Sequence, residues 1–220
     1  LRVHTKFVPD RSNLARTNRA YVERIIDRSL RRLGVERLDL VQFAWWDYRV
    51  PGYLETTGWL SELRDAGKIR HLGVANFDVP HLQELLDAGM PIVSHQLQYS
   101  LLDSRPAGVM VDLCRRSGVA LLCYGTLAGG FLREEDLRAA EPGRPLPNRS
   151  LVKYRLMIDE FGGWPRFQEL LGVLDTIARK HRTRIPAVAV RVVLDRPGVA
   201  AAIIGAADGA HARRNLGVLE

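Results

Sequence analysis

The sequence predicts an α/β fold in which helices pack on a parallel sheet. Short runs rich in β-branched and other apolar residues alternate with longer amphipathic stretches along the 220 residues. The short runs are apolar over nearly their whole length, which is typical of strands that are covered on both faces. A glycine directly follows several of the amphipathic stretches, as it does where helices end.

The first part of the chain contains four strand-helix pairs. The predicted strands are 1–7, 38–44, 69–75 and 92–97, and the predicted helices are 18–33, 52–66, 80–88 and 107–117. In the first helix, Ile26, Leu30 and Leu33 recur at the spacing of one helical face. Gly34 follows this helix as a C-cap residue would.

The second part of the chain begins with a strand at 119–124 and contains a long polar connection. This connection covers 125–163 and includes Pro142, Pro145 and Pro147. Helices 165–181 and 185–195, strand 199–204 and helix 208–219 follow it. Since a connection of this length is typically functional, we predict a single domain over 1–220 with a loop excursion at 125–163. Its last residues, 161–164, indicate either a glycine-hinged lid or a loop anchored by aromatic residues.

Two architectures fit six strands separated by helices, namely an open doubly wound sheet and a (β/α) barrel. An open dinucleotide-binding sheet carries G-x-G-x-x-G after its first strand. No such motif follows Phe7, and the glycine cluster from Gly125 to Gly130 follows the fifth strand with a different spacing. The barrel is therefore favoured, although six units are fewer than the usual eight.

The chain is basic, but its charges are scattered. Lys and Arg number 32 against 25 Asp and Glu, so the formal net charge is +7. The basic clusters lie in or near helical segments that also carry acids, which indicates solvated helix faces. A single-stranded nucleic-acid site needs a basic groove lined with aromatic residues. The sequence shows no such pattern, so we expect no nucleic-acid partner.

Cysteine, histidine and hydropathy patterns exclude further classes of protein. The two cysteines, Cys114 and Cys123, have apolar neighbours, which indicates buried, reduced thiols and a reducing compartment such as the cytoplasm. The six histidines lack metal-ligand spacing, so no metal site is predicted. No apolar run reaches 18 residues, so neither a membrane span nor a membrane partner is expected.

Several strand ends carry motifs that together resemble the aldo-keto reductase superfamily. GKIR followed by LGVANF lies at 67–77, QYSLLD at 98–103 and YGTLAGGFL at 124–132. Their order and spacing match over nearly the whole chain. The resemblance implies an α/β fold of the (β/α)8 TIM-barrel type that binds a nicotinamide cofactor. It also implies an NAD(P)-dependent oxidoreductase that reduces an aldehyde, ketone or sugar-derived carbonyl by hydride transfer.

Aligned with this superfamily, the chain starts at what resembles the third barrel strand, and the first two βα units are absent. Six strands cannot close an eight-stranded barrel, because tilt, stagger and strand number are linked. We therefore expect the natural protein to have a further N-terminal segment. The alternative is a true truncation whose exposed strand edges are covered by oligomerisation.

The resemblance implies that an Asp, a Tyr, a Lys and a His act together on the carbonyl. Lys6 matches the lysine, while the Asp and Tyr fall in the absent segment. Ala44 stands where the family has its histidine, so the hydrogen bond that orients the substrate is lost. Gln42, two residues earlier on the same strand face, either fills part of this site or packs in the core. Trp45, Trp46 and Tyr48 are predicted to line the substrate pocket.

The resemblance also assigns the contacts that hold the cofactor. Asn76 and Gln96 match the residues that bind the nicotinamide carboxamide, and Tyr124 matches the aromatic residue that stacks on the nicotinamide ring. The pyrophosphate loop is matched by Gly125, Thr126, Leu127 and Gly129. Glycines in such a loop let backbone N–H groups approach phosphate.

The adenine end departs most from the family pattern. Gly205, Ala207, His211 and Asn215 occupy the matching positions. The family often has a basic residue and a Ser or Thr for the 2′-phosphate of NADP, whereas this chain has Ala207 and Asp208. An acid repels a 2′-phosphate but accepts a hydrogen bond from a free 2′-hydroxyl. NADP is implied by the resemblance, and NAD stays open beside it.

A second function is compatible with the same residues. Ala44 and the altered adenine end favour a catalytically impaired barrel that binds nicotinamide and acts as a sensor or interaction subunit. Lys6, Asn76, Gln96 and Tyr124 do not discriminate, because both functions need a bound nicotinamide. A Tyr followed by Gly at the end of the second barrel strand would favour the enzyme.

Overall fold

The computed structural model describes residues 2–143, 145–206 and 208–216, without the side chains of 211 and 214–216. The strands are β1 (His4–Phe7), β2 (Leu38–Phe43), β3 (Ile69–Ala75), β4 (Ile92–Gln98), β5 (Ala120–Tyr124) and β6 (Val199–Ile203). The α-helices are α1 (Arg19–Leu33), α2 (Tyr53–Asp65), α3 (Val79–Asp87), α4 (Val109–Arg116), α5 (Arg149–Phe161), α6 (Gly163–Lys180), α7 (Ile185–Leu194) and α8 (Gly209–Leu216). Short 3-10 helices cover Arg11–Arg16, Ala128–Gly130 and Glu134–Asp136.

The strands follow one another in the sheet in chain order, from β1 to β6. The pairs β1–β2, β2–β3 and β3–β4 are parallel. A doubly wound sheet reverses its strand order part-way, whereas this order only progresses. The predicted α/β fold with a parallel, barrel-type strand order is therefore confirmed.

The predicted connection over 125–163 is wrong in its second half, because Arg149–Phe161 form α5. The Asn148 side chain caps this helix by accepting a hydrogen bond from the backbone N–H of Leu151 at 2.9 Å. Tyr154 and Ile158, spaced as one helical face, are buried. The three prolines before Asn148 are typical of a loop and led to the wrong prediction. The Asn148 cap and the spacing of the apolar residues specify a helix instead.

The chain forms two compact units, and the first comprises 1–97 and 108–121. Its core contains strand residues such as Phe7, Phe43 and Leu72. Asn18 caps α1 by accepting from the N–H of Tyr21 at 2.9 Å. Gly34 ends α1 with φ at +65°, a conformation that favours glycine.

His95 is a buried titratable group in the first unit. Its Nε2 accepts a hydrogen bond from the backbone N–H of Phe77 at 3.1 Å. Burial lowers the pKa of His95 from 6.5 to about 4. Between about pH 4 and 6.5 the imidazole of His95 is therefore mostly neutral in the folded state and mostly protonated in the unfolded chain.

This difference predicts acid sensitivity of the first unit. Above pH 6.5 the titration of His95 does not reduce the free energy of unfolding. As the pH falls from 6.5 towards 4, the free energy of unfolding decreases by about 1.4 kcal/mol per pH unit. Urea unfolding of the wild type and His95→Gln across this range measures it. Gln retains an acceptor but does not titrate, so its unfolding free energy is expected to vary less with pH. Equal pH dependence in the two proteins would contradict this assignment.

The second unit comprises 98–107 and 122–220, and its core lies among α5, α6 and α7. Trp164 is buried, and its Nε1–H donates to the carbonyl of Ala139 at 3.0 Å. The buried Arg155 side chain forms ion pairs with Glu141 and Asp159 on the same unit. The segment 161–164 joins α5 to α6 and is fixed by Trp164, which favours the anchored loop over the hinged lid.

Candidate functional site

The predicted site residues are divided between the two units, and each part is described by itself. Lys6, Ala44, Asn76 and Gln96 lie in the first unit, at or beyond the carboxyl ends of β1 to β4. The residues from Tyr124 to Gly129, together with Gly205, lie in the second unit after β5 and β6. Carboxyl ends of parallel strands are where α/β proteins place their ligands.

A row of polar side chains crosses the first four strands. Lys6 is in register with Gln42, Gln42 with Gly73, and Gly73 with Ser94. Lys6 is exposed and forms no ion pair with a described residue, while Gln42 and Ser94 are buried. Gln42 Nε2 and Ser94 Oγ find no hydrogen-bond partner among the described residues. On the sheet face that carries Lys6, the row therefore contains polar atoms that could still form hydrogen bonds.

Gly73 is needed in this row because there is no space for a side chain. A Cβ at Gly73 would lie 2.3 Å from Ser94 Oγ and 2.9 Å from the Ser94 backbone oxygen. Ala44 follows Gln42 on the same strand face and is half-buried. Its methyl group adds no donor or acceptor, so the family histidine is not replaced at this position.

Asn76 and Gln96, the predicted carboxamide ligands, are brought together by the β3–β4 pairing. The backbone N–H of Asn76 donates to the carbonyl of Gln96 at 2.9 Å. Asn76 has φ at +57°, in the left-handed region that Asn tolerates better than most residues. Asn76 is exposed and Gln96 is buried at 9% exposure. The turn after β3 therefore places both amide-bearing residues next to each other.

The three aromatic residues predicted to line the pocket differ in their surroundings. Trp45 is a core residue at 6% exposure, and its Nε1–H donates to the Val50 carbonyl. The place of Trp45 in the substrate pocket therefore stays a prediction. Trp46 is 57% exposed and donates to the carbonyl of Pro9 at 2.8 Å, which fixes an accessible ring.

Tyr48 stacks on a residue that the sequence analysis did not select. Its ring lies 3.7 Å from that of His81, at an interplanar angle of 9°. Burial raises the pKa of Tyr48 above its ordinary value. His81 Nδ1 also pairs with Asp78, the N-cap of α3. This stack holds the Tyr48 ring in place, while its role in a substrate pocket stays a prediction. His81, its partner, could not be found from spacing alone.

The second unit contains a cleft of about 490 Å³ at the predicted cofactor loop. Six of the residues predicted to bind the cofactor line this cleft, namely Tyr124, Gly125, Thr126, Leu127, Gly129 and Gly205. Ser150 and Tyr154 of α5 line the same cleft and were missed, because this segment was predicted to be a loop. The structure thus gathers these residues around one cavity.

The glycines of this loop have the conformation and the tight contacts that exclude side chains. Gly125 and Gly129 have φ values of +80° and +67°. A Cβ at Gly129 would lie 2.6 Å from Cδ2 of the buried Tyr154 ring. Thr126 Oγ1 is buried without a hydrogen-bond partner among the described residues. A glycine loop with a spare hydroxyl donor fits the pyrophosphate of a dinucleotide.

Gly129→Ala tests the packing of this loop. We expect it to lower the free energy of unfolding by about 2 kcal/mol, because the methyl group meets Tyr154 and the backbone conformation disfavours alanine. Gly172→Ala is the matched control, since no atom lies within 4 Å of its Cβ position in α6. The control should be neutral or stabilising by about 0.5 kcal/mol. Equal free energies of unfolding for the two variants, measured with urea, would contradict the close contact between position 129 and the Tyr154 ring.

Lys153, on α5, is a further residue that the sequence analysis missed. Its Nζ lies 4.8 Å from the centroid of the Tyr124 ring and 5.2 Å from that of Tyr154. Burial lowers the pKa of Lys153, even though the residue is exposed overall. A positive charge therefore lies against the aromatic ring that was predicted to stack on the nicotinamide.

Asp103 is the acidic residue whose charge acts on Lys153, but it is bonded elsewhere. It pairs with Arg105 at 2.6 Å and accepts from Gln98 Nε2 at 2.9 Å. Burial raises the pKa of Asp103, but the hydrogen bonds from Arg105 outweigh this effect and keep the pKa below its ordinary value. Asp103 is thus an ionised carboxylate held by two other side chains.

The adenine end of the predicted site is only partly within the described residues. Ala207 lies outside them, and so do the side chains of His211 and Asn215. Gly205 lines the cleft, and Asp208 is exposed. The predicted contacts of Ala207, His211 and Asn215 therefore stay predictions.

Among the described residues, the cysteines, histidines and carboxylates do not form a metal site. Burial raises the pKa of Cys114 to about 11 and that of Cys123 to about 12, and both are free thiols. In the described ranges, no three His, Cys, Asp or Glu side chains are grouped as metal ligands would be. The helices of the described residues also lack the length and apolar character needed to span a bilayer.

Comparison with known proteins identifies the class. A model of the aldo/keto reductase family matches residues 1–220, and the chain belongs to that family. The chain is 28% identical over 202 residues to the NADH-specific methylglyoxal reductase of Escherichia coli, covering 87% of this chain and 57% of that protein. It is 30% identical to an aldo-keto reductase of Bacillus subtilis, covering 86% and 55%.

Another relative is named as a component of the flagellar radial spoke rather than as a reductase. The chain is 32% identical over 179 residues to flagellar radial spoke protein 5 of Chlamydomonas reinhardtii, covering 73% of this chain and 34% of that protein. The chain thus spans about a third to just over half of the length of these curated relatives.

Solved structures share the fold. The thermostable aldo-keto reductase Tm1743, in complex with epalrestat, has a TM-score of 0.72 and 25% identity, covering 98% of this chain and 65% of that one. The holo form of aldo-keto reductase AKR11C1 from Bacillus halodurans has a TM-score of 0.68 and 26% identity, covering 92% and 60%.

Proposed function

We propose that this chain is part of an NAD(P)-dependent oxidoreductase that reduces an aldehyde, a ketone or a sugar-derived carbonyl. The cleft of the second unit is the main support, because six residues selected for cofactor binding line it together. Their chemistry is suitable, since it combines an aromatic ring, a glycine loop and a spare hydroxyl. The bound nicotinamide would supply the hydride.

The protein's own residues would bind and orient this cofactor. Tyr124 offers a ring face for stacking. The backbone N–H groups of the loop and the Thr126 hydroxyl would bind the pyrophosphate. In the first unit, Asn76 and Gln96 would hold the carboxamide through their side-chain amides, which provide both donors and acceptors.

The proton side of the reaction is assigned to other residues. Lys6 would lower the pKa of a tyrosine that donates the proton. In the family order this tyrosine precedes the first strand described here. Ala44 contributes no hydrogen bond to the substrate, and Trp46 and Tyr48 would form the pocket wall.

Both forms of the cofactor remain candidates. One relative is named as NADH-specific, and another, from Schizosaccharomyces pombe, is named with NADP(+). Asp208 favours NAD at the adenine end, whereas the family resemblance favours NADP. The proposed reaction takes place in the cytoplasm, which the two buried free thiols support.

The test uses the complete natural protein and measures binding and turnover separately. Titrations with NADH and NADPH give the two dissociation constants. Cofactor oxidation is then followed with methylglyoxal, an aromatic aldehyde and an aldose. We expect tight binding of one cofactor and its oxidation by at least one carbonyl. Absence of binding to both cofactors would refute the proposal.

Ala44 favours a second candidate, a nicotinamide-binding subunit with weak or no catalysis. Loss of one positioned donor lowers the rate by about 10²-fold or more. The name of the radial spoke relative is also not that of a reductase. Tight cofactor binding without oxidation by any of the carbonyls would favour this candidate.

A further inference from the structure

We propose that Lys153 makes the cofactor cleft bind the reduced nicotinamide in preference to the oxidised one. The inference rests on the proposed function, because it requires Tyr124 to be the stacking residue. Its basis in the structure is the contact of the Lys153 ammonium with the Tyr124 ring at 4.8 Å. Lys153 was not among the site residues predicted from the sequence.

The ammonium of Lys153 lies near two aromatic rings. It contacts two rings of the cleft, Tyr124 and Tyr154, and the latter also packs against Gly125 and Gly129. Ser150, three residues earlier on α5, lines the same cleft. Ser150 and Lys153 are three residues apart and lie on the same side of α5, with Lys153 beside the cleft rather than among its lining residues.

The surroundings of the Lys153 ammonium determine how strongly its charge acts on neighbouring groups. No carboxylate forms a salt bridge with it in the described part of the chain, and Asp103 is held by Arg105 and Gln98. The two tyrosine rings cover part of the side chain, and this burial lowers the pKa of Lys153. A partly dehydrated charge acts more strongly on its neighbours than a fully hydrated one.

The two redox forms of a nicotinamide cofactor differ by one positive charge, which lies on the ring of the oxidised form. An ammonium near that ring repels the oxidised form and leaves the neutral, reduced ring unaffected. Attraction between Lys153 and the phosphates would strengthen binding of both forms equally. The ratio of the two dissociation constants therefore isolates the effect of the charge near the ring.

Lys153→Met is the test, since it keeps an unbranched apolar stem and removes the charge. Fluorescence titrations measure the dissociation constants of NADH, NAD⁺, NADPH and NADP⁺ for the complete protein. We expect the ratio of the oxidised to the reduced constant to fall about tenfold in Lys153→Met. Lys153→Arg, which keeps the charge, should retain most of the wild-type ratio.

Lys180→Met is the matched control, because Lys180 ends α6 and is exposed away from the cleft lining. Its ratio should equal that of the wild type. If Lys153→Met weakens both redox forms equally, or changes neither, the inference is wrong while the proposed function stands. If the wild type binds none of the four cofactors, the proposed function itself fails. Thermal unfolding of each variant verifies that the fold is intact.

Discussion

Ala44→His should raise kcat for carbonyl reduction by about 10²-fold, because it restores a hydrogen-bond donor to the substrate oxygen. Ala44 follows the buried Gln42 on the same strand face and is half-buried, so an imidazole there would point to the same side of β2. The effect is measured by steady-state cofactor oxidation with the best carbonyl substrate. Binding of the reduced cofactor should change little.

Ala44→Leu is the control for this substitution, since it adds volume without a donor. It should not raise kcat. If Ala44→His leaves kcat unchanged while the cofactor still binds, the missing donor is not what limits the reaction. That outcome would favour the sensor or interaction subunit over the enzyme.

Lys6→Met is expected to lower kcat by about 10²- to 10³-fold. Lys6 is exposed at the end of β1 and has no ion-pair partner among the described residues, so its charge is available to the site. A nearby cation lowers the pKa of a tyrosine that donates a proton. Without the cation, the alkaline limb of the kcat profile should therefore move to higher pH.

The pH profile separates this role from a structural one. Lys6→Arg keeps the charge and should retain the position of the alkaline limb better than Lys6→Met. The dissociation constant of the reduced cofactor should stay within about threefold of the wild type, because no phosphate contact is assigned to Lys6. A loss of kcat with an unmoved pH profile would contradict the proposed role.

Local sequence patterns were sufficient to predict most of the elements. The strand Ile69–Ala75 has the predicted bounds, and α1 begins at Arg19, one residue after its predicted start. The missed element is α5, where three prolines upstream outweighed the periodicity of Tyr154 and Ile158. The Asn148 cap and this spacing together were the signal that could have found it.

Side-chain roles were predictable only where a motif fixed them. The loop from Gly125 to Gly129 was predicted because it matches a motif of the family. The structure shows why glycine is needed there, through the backbone conformation and the Tyr154 contact. The Lys153 contact with Tyr124 joins positions 29 residues apart through the placement of α5. Trp45 and Trp46 are adjacent, and only the packing of the loop after β2 decides that one is buried.

The central claim, hydride transfer from a bound nicotinamide to a carbonyl, is tested most directly by isotope transfer. The complete protein is incubated with a carbonyl substrate and a reduced cofactor that carries deuterium at the transferable position. Mass spectrometry then measures deuterium on the carbinol carbon of the product. We predict one deuterium per alcohol formed, even if turnover is slow. Tight binding of the cofactor without any labelled alcohol would contradict the claim.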